Sequence, residues 1–541
     1  MRKHRLMRPN PTAAGLTPAA EAEALYAAAC AAWAKGQRDA AVACLDDALR
    51  LRSDFAEALA MGGYMLGESG KPQAALRFYR RATALKPSLA VAHVNAGKLL
   101  FDLGRFAEAL EAFETATAVA PDDADAWSSR AGALRELGRL EESLEAARRA
   151  FALEPTMAEA AINLGNALLK LDRMEEALAA YRRASAARPG FAAALCGEGL
   201  ALRNLGRFEE ALAAFEAAEA LGSREATAGK GCLLLTLGDF ERGFAGYEAR
   251  WLNGKSLAEA LGARFPTWAG PTCPGERVLA MNDHGLGDTI QFVRFLPLMA
   301  EGGVAATFVC PARLHRLLST ATSARLVEAA PDEPFDAQIA LSSLPHAFRT
   351  RLDTIPARVP YLSPEASLAS LWAERLGGDG FKIGVVWQGN PNPESDRARS
   401  FPLAALAPLA AVAGVRLVSL QKGYGVEQLD RGPEAMRVET LCAELDSGAD
   451  AFVDTAAAMA HLDLIVCCDT SIAHLAGALA RPVWVALKSD AEWRWMRDRE
   501  DSPWYPTMRL FRQPRRGDWS PVFAAMAREL ANLVAAGRQS Q

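Results

Sequence analysis

The sequence has no surplus of basic residues. Sixty Lys and Arg stand against 65 Asp and Glu, a formal charge of -5 at pH 7, so nothing in the overall charge favours a phosphate backbone, and no nucleic-acid partner is expected. It also lacks a membrane-length apolar run. The best candidate, Leu403 to Leu420, contains Pro408 and Arg416 and falls short of the roughly 18 apolar residues of a span, so no stable membrane insertion is expected. The basic start MRKHRLMRPNP leads into an Ala-rich stretch carrying Glu21 and Glu23, where an export signal needs an uninterrupted apolar core. Residues 1–21 therefore read as a flexible tail, and the chain as cytoplasmic. The nine cysteines are odd in number and none sits in a CxxC pair, which argues for free thiols in a reducing compartment and against disulfides or zinc. No His/carboxylate cluster suggests a metal.

What is present is ordinary folded composition, half apolar and 23% charged, over a length that calls for more than one domain. The first half repeats itself. Gly36, Gly70, Gly104, Gly138, Asp172 and Gly206 fall at steps of 34 residues. In register with them, Ala41, Ala75, Ala109, Ser143, Ala177 and Ala211 supply one small residue per unit. Ala48, Ala82, Ala116, Ala150, Ala184 and Ala218 supply a second, and Pro87, Pro121, Pro155 and Pro189 close four units. The Gly or Asp permits a turn between two helices, the small residues let the helices approach, and Pro stops the second helix. This period resembles the tetratricopeptide repeat. Six units run from Ala22 to Thr227, and a degenerate seventh with Gly231, Gly238, Gly243 and Trp251 extends the array over 22–260. A single unit cannot bury its apolar face, so a stacked solenoid with a concave groove is expected. The groove reads as a protein-binding surface or, alternatively, as a spacer or dimerisation arm. Asp122, Asp123 and Asp125 look like a metal-binding Asp-x-Asp but stand at a repeat junction, where they read as helix N-terminal charges.

A Pro/Gly/Trp-rich linker over 261–276 (TWAGPTCPG) ends the repeat, and strands followed by helices begin. Residues 277–378 read as one α/β half: strand RVLAMN, loop HGLGD, a helix over Thr289 to Ala300, and a strand Ala305 to Cys310. Residues 379–541 read as a second: strand KIGVVW, loop QGNPNPESDRARS, helix PLAALAPLAAV, strands VRLVSL, LDLIVC and VWVAL, and a closing helix near Val522 to Ala535. The fold class expected is thus an α solenoid followed by an α/β region with two Rossmann-like halves.

Two segments could carry chemistry. In His284-Gly285-Leu286-Gly287-Asp288 a carboxylate starts a helix at the carboxyl edge of a sheet; it could serve a bound ligand or simply cap its helix. In Cys468-Asp469-Thr470-Ser471-Ile472-Ala473-His474 a buried strand meets a helix start, whose free N–H groups suit a diphosphate. His474, one turn in, reads as a phosphate or ribose donor or as a structural histidine. The aromatic run Trp493, Trp495, Trp504, Tyr505 and Trp519 reads as packing. Trp387 could stack on a base or sugar, or end its strand.

The stretch from Arg277 to about Pro514 resembles the heptosyltransferase-like branch of bacterial glycosyltransferases (family nine), particularly its TPR-fused members. GLGDT, GVVWQGN, SLQKG, DTSIAHLAGAL and EWRWMRDREDSPWYP carry the match. The resemblance implies a GT-B architecture and an inverting, metal-independent sugar transfer from a nucleotide-sugar, which is the donor substrate; no cofactor is implied. It makes Asp288 the general base and Arg399, with Arg397 as a second choice, the cation that neutralises the leaving group. Asp469, Thr470 and His474 would hold the diphosphate, Gln421 and Lys422 would lie near ribose or phosphates, and His284, Gly285, Gly287, Trp387, Asn390 and Ser471 would line the substrate site. Heptosyltransferases usually carry Gly where this chain has Ser471, and the first half is short. The layout is similar to bipartite flagellin glycosyltransferases, which implies a protein acceptor captured by the TPR groove. The alternatives are a lipid-linked or polysaccharide acceptor, or a non-catalytic scaffold whose second half senses a sugar nucleotide.

Overall fold

The computed structural model describes residues 17–251, 264–271, 274–391, 399–433, 436–441 and 444–539. It separates into two compact units, Met1–Leu202 and Arg203–Gln541.

The first unit is built from antiparallel helix pairs, beginning with Pro18–Ala34 and Arg38–Leu51 and continuing through Met174–Ala187. The 34-residue positions do what their chemistry dictates. The turn residues from Gly36 to Gly206 all have positive φ, between +62° and +74°, with Asp172 at the lower end. The small residues at both repeated positions, from Ala41 and Ala48 onward, are all buried, at most 1% exposed. Asp123 caps the helix Ala124–Glu136 by accepting from the N–H groups of Asp125 and Ala126, so the acidic triplet is a helix start.

The second unit opens with the helices Phe208–Ala220, Arg224–Leu237 and Phe240–Tyr247 and the 3-10 turn Glu248–Arg250. The repeat pattern runs to residue 260, but the compact unit begins at Arg203. The reason is packing: Leu235, Phe240, Phe244 and Tyr247 share one core with Val278, Ile290, Trp493 and Trp504 of the α/β region. Phe240 stacks on Trp504 at 6.0 Å, and Phe244 meets Trp493 edge-on at 5.6 Å. Part of the expected linker is also structural. Thr267 pairs with Gln338 as an extra rung of the first sheet, and Trp268 is buried with its indole N–H on Glu276.

Among the described residues, ten parallel strands form two sheets. In the first, β1 (Arg277–Met281), β2 (Ala305–Val309), β3 (Arg325–Val327) and β4 (Ala337–Ala340) lie in the order β3-β2-β1-β4. The second holds β5 (Phe381–Val386), β6 (Val415–Ser419), β7 (Val438–Thr440), β8 (Leu464–Cys468), β9 (Val483–Leu487) and β10 (Met508–Arg512) in the order β10-β9-β8-β5-β6-β7. The chain winds outward from β5 to β7, then crosses and winds outward again from β8 to β10, which is the doubly wound topology. β8 and β9 are buried at every position, as strands covered on both faces must be. The closing helix Ser520–Gln539 lays Val522, Phe523, Met526 and Leu530 against Ile383, Val385 and Leu464 of the second sheet.

Two expected helices are broken. The segment Thr289 to Ala300 is the helix Leu286–Phe292, a 3-10 turn Val293–Phe295 and the helix Leu296–Glu301, because Pro297 cannot continue a preceding helix. PLAALAPLAAV is a 3-10 turn Leu403–Leu406 and one α turn Ala407–Ala410 around Pro408.

Candidate functional site

Ligands in open α/β sheets bind beyond the carboxyl ends of the strands, where the winding reverses. Here the reversals fall between β1 and β4 and between β5 and β8. The loops that follow β1, β5 and β8 carry most of the residues singled out in the sequence.

After β1, the chain turns through Asn282 and Asp283 into the helix that starts at Leu286. That start is two residues before Asp288, which puts Asp288 in the first turn, where its Oδ2 accepts the Gly285 N–H at 3.1 Å. Capping accounts for one oxygen only. Oδ1 accepts from Nη2 of Arg494, a residue 206 positions away. Burial pushes the Asp288 carboxyl up, but Arg494, His284, His474 and the Gly285 N–H outweigh it and hold it below the usual carboxylate range. Asp288 is thus a fixed carboxylate. His284 donates from Nδ1 to the Asp283 carbonyl at 2.7 Å, since a carbonyl only accepts, and its Nε2 shares a hydrogen bond with the Tyr247 hydroxyl at 2.9 Å. Both ring nitrogens are occupied, and Tyr247 comes from the last repeat helix.

After β8, Asp469 and Thr470 lead into the helix Ser471–Ala478. Thr470 is its N-cap residue but makes no side-chain capping bond, so the first N–H groups of this helix are not taken by their own cap. Asp469 is pushed up to about 6 by burial and by Glu492, against the pull of Trp495, Arg399 and Arg494. His474 is buried, donates or accepts at Nδ1 with the Tyr505 hydroxyl at 3.0 Å, and stacks on Trp495 at 5.3 Å. Burial, with Arg494 beside it, pulls its pKa down to about 3, so the ring is neutral near neutral pH.

The two loops meet. A Cβ on Gly287 would lie 3.1 Å from His474 Cδ2 and 3.3 Å from Ser471 Cα, so glycine lets the first helix approach the start of the second at a distance where a larger residue would press on it. His284, Gly285, Gly287, Asp288, Asp469, Thr470, Ser471 and His474 therefore converge. Arg399 joins them from the far end of the loop after β5. A Cβ on Gly389 would meet its Nη2 at 2.7 Å, and its charge acts on Asp469. Asn390 is exposed on the same loop; Arg397 lies outside the described residues.

Three expected residues have other tasks. Trp387 is fully buried and gives its indole N–H to the Gly425 carbonyl, so it ends its strand in the core and offers no ring face. Gln421 is buried. Its Oε1 accepts from the N–H groups of Trp387 and Gln388, and its Nε2 donates to the carbonyls of Gln388 and Tyr424; it ties the loops after β5 and β6 together. Lys422 turns its ammonium onto the carbonyls of Leu445 and Asp446. The sequence reading gave no role to Arg494, Glu492, Gln291 or Tyr247. The available signal was Arg494 itself, a cation between two tryptophans in a run read as core, where a charge requires partners.

Among the described residues no group of three or more His, Cys, Asp or Glu could hold a metal ion, and no helix is long and apolar enough to cross a membrane. None of the seven described cysteines forms a disulfide with another described residue.

Fold and site together define a tetratricopeptide-repeat solenoid followed by a doubly wound α/β unit with a polar site at its strand ends. A tetratricopeptide repeat profile (TPR_16) matches residues 26–90, 94–158, 135–192, 162–229 and 196–260. Among characterised proteins, the chain is similar to Protein FlbA of Caulobacter vibrioides, with 28% identity over 306 residues, 52% of this chain and 51% of that protein. The match thus spans about half the length of that relative. Among solved structures, YrrB, described as a TPR protein with an unusual peptide-binding site, is 24% identical over 33% of this chain and 91% of its own, at a TM-score of 0.29. PilF of Pseudomonas aeruginosa is 18% identical over 38% of this chain and 95% of its own, at 0.35.

Proposed function

We propose that the protein is an inverting, metal-independent glycosyltransferase of GT-B type, taking a sugar from a nucleotide-sugar and passing it to a protein acceptor that the repeat array captures. The carrying observation is the approach of Gly287 to Ser471 and His474, which puts an ionised carboxylate beside an uncapped helix start at the strand ends of two parallel sheets. Asp288 would take the proton of an acceptor hydroxyl as that oxygen attacks the anomeric carbon. The bond from that carbon to the diphosphate breaks, and its electron pair leaves with the diphosphate. The N–H groups at Ser471 and Ile472, with Arg399 nearby, would receive the charge of the leaving group. The resemblance to flagellin-modifying enzymes makes flagellin the first acceptor to try.

A positioned base is typically worth about 10²–10⁴ in rate. Asp288→Ala is therefore expected to lose turnover by that order, with calorimetric binding of the nucleotide product retained. Equal turnover in variant and parent excludes Asp288 as base, and failure of the parent to bind any of UDP, GDP, CDP or CMP excludes the transferase reading.

A further inference from the structure

Arg494 is the buried cation that donates to Asp288. Its side chain is 8% exposed, whereas that of Asp288 is 26% exposed, so the carboxylate reaches solvent and the guanidinium does not. Nη2 donates to Asp288 Oδ1, Nη1 to Glu492 Oε2 at 2.6 Å, and Nε to Gln291 Oε1 at 2.8 Å. The guanidinium lies over the Trp493 ring at 4.5 Å and beside Phe292 at 5.7 Å, which fixes its plane. Gln291 is fully buried, and its Nε2 has no hydrogen-bond partner among the described residues.

A buried amide with an unpartnered N–H costs stability, and a buried ion pair is commonly no better for stability than apolar packing. The network is therefore explained better by geometry than by stabilisation. The geometry is specific. With the Gly285 N–H on Oδ2 and Arg494 on Oδ1, each carboxylate oxygen carries one fixed donor. Rotation about the Cβ–Cγ bond is blocked while lone-pair capacity remains on both oxygens. The charged or titratable groups that act on Asp288 are Arg494, His284 and His474, and the Tyr247 phenol lies within its field.

We propose that Arg494 is a positioning residue for the transfer step, its fork aiming the Asp288 carboxylate at the acceptor hydroxyl while Gln291 and Glu492 hold the fork. The role rests on Asp288 being the base proposed above. Arginine is required because only a planar fork serves three acceptors in fixed directions; lysine supplies the charge without the directions.

That difference gives the test. In full-length protein the Asp288 carboxyl is titrated by carbon-13 NMR, assigned by its loss in Asp288→Asn. It is compared among the parent, Arg494→Gln and Arg494→Lys, alongside turnover with the nucleotide-sugar whose nucleotide the UDP, GDP, CDP and CMP titrations identify. In Arg494→Gln the Asp288 pKa is expected to rise by at least about one pH unit, the usual effect of losing an adjacent opposite charge, and the acid limb of kcat should move up with it. In Arg494→Lys the carboxyl should titrate near its parent value while kcat falls at least about tenfold with donor KM unchanged, the signature of an interaction made in the transition state. Should the Gln variant not fold, the Lys variant carries the test through its kcat. Parent-like kcat in Arg494→Lys, or an unmoved carboxyl in a folded Arg494→Gln protein that still binds nucleotide, overturns the positioning role. A parent that binds none of the four nucleotides overturns the transferase reading itself and this role with it.

Discussion

His474 and Asp469 stand five residues apart and titrate in opposite senses, which makes the site's stability readable by pH. His474 has its pKa lowered from 6.5 to about 3. Its contribution is present above the unfolded value, near 6.5, and is lost as pH falls through the folded value. Asp469 is raised from 3.8 to about 6, so its contribution is present below about 3.8 and is lost as pH rises through about 6. His474→Asn, which keeps a polar partner for Tyr505 but does not titrate, should lose less thermal midpoint than the parent between pH 6.5 and 3; parallel curves would show that His474 does not titrate as described. At this scale the sequence was informative about which residues sit at strand ends and uninformative about side-chain direction. Asp288 was legible because a carboxylate in a Gly-x-Gly-Asp turn is local information. The pairing of Asp288 with Arg494 depends on a contact across 206 residues, and no local pattern encodes it. The resemblance placed Gln421 and Lys422 near ribose or phosphates; their polar ends bond backbone carbonyls and N–H groups of neighbouring loops.

Among elements, the helical hairpins were the most legible because each is fixed by one turn residue and two small contact residues repeated in register. Asp172 is the exception that tests the rule, since it occupies the left-handed turn at φ +62° where the other five units have glycine. A non-glycine residue is strained there, although Asp tolerates it better than most. Asp172→Gly is therefore expected to stabilise the array by a few tenths to about 1 kcal/mol in chemical denaturation; a loss of stability would mean that the interactions of Asp172 outweigh its backbone strain. The strands were legible where they are central and apolar, as in β1, β5, β8 and β9. β3, β7 and β10 were not seen: β3 and β7 have three residues each, and all three close a sheet edge, where a half-exposed strand such as Arg509-Leu510-Phe511-Arg512 reads as polar turn or helix as readily. β4 was missed because Gln338 interrupts its short apolar run, although that residue is 1% exposed.

For the whole molecule, the change of pattern near residue 261 marks where the repeats stop, while the second compact unit begins at Arg203 and its hydrophobic core takes in the chain from Leu235 onward. Sequence periodicity could not separate these, since the helix pair Arg224–Leu237 and Phe240–Tyr247 keeps the repeat's outline while turning Phe240, Phe244 and Tyr247 into the α/β core. A fragment of residues 203–541 is expected to unfold in one cooperative transition near that of the second unit in the full chain. A fragment of residues 261–541, stripped of the side chains that cover Trp493 and Trp504, is expected to bind a hydrophobic dye and to unfold at least about 10 °C lower, as removal of several buried aromatics at about 3–5 kcal/mol each requires. Equal melting of the two fragments would show that these helices only lean on the unit.

The same boundary sets a rule for exchange. Chains of this plan could exchange repeat arrays by recombination only if the crossover leaves the helices Arg224–Leu237 and Phe240–Tyr247, which enter the α/β core, in place. A splice at the visible end of the repeats would import a foreign helix in place of the one that presents Tyr247 to His284, and the hybrid would leave that imidazole without the hydroxyl it meets.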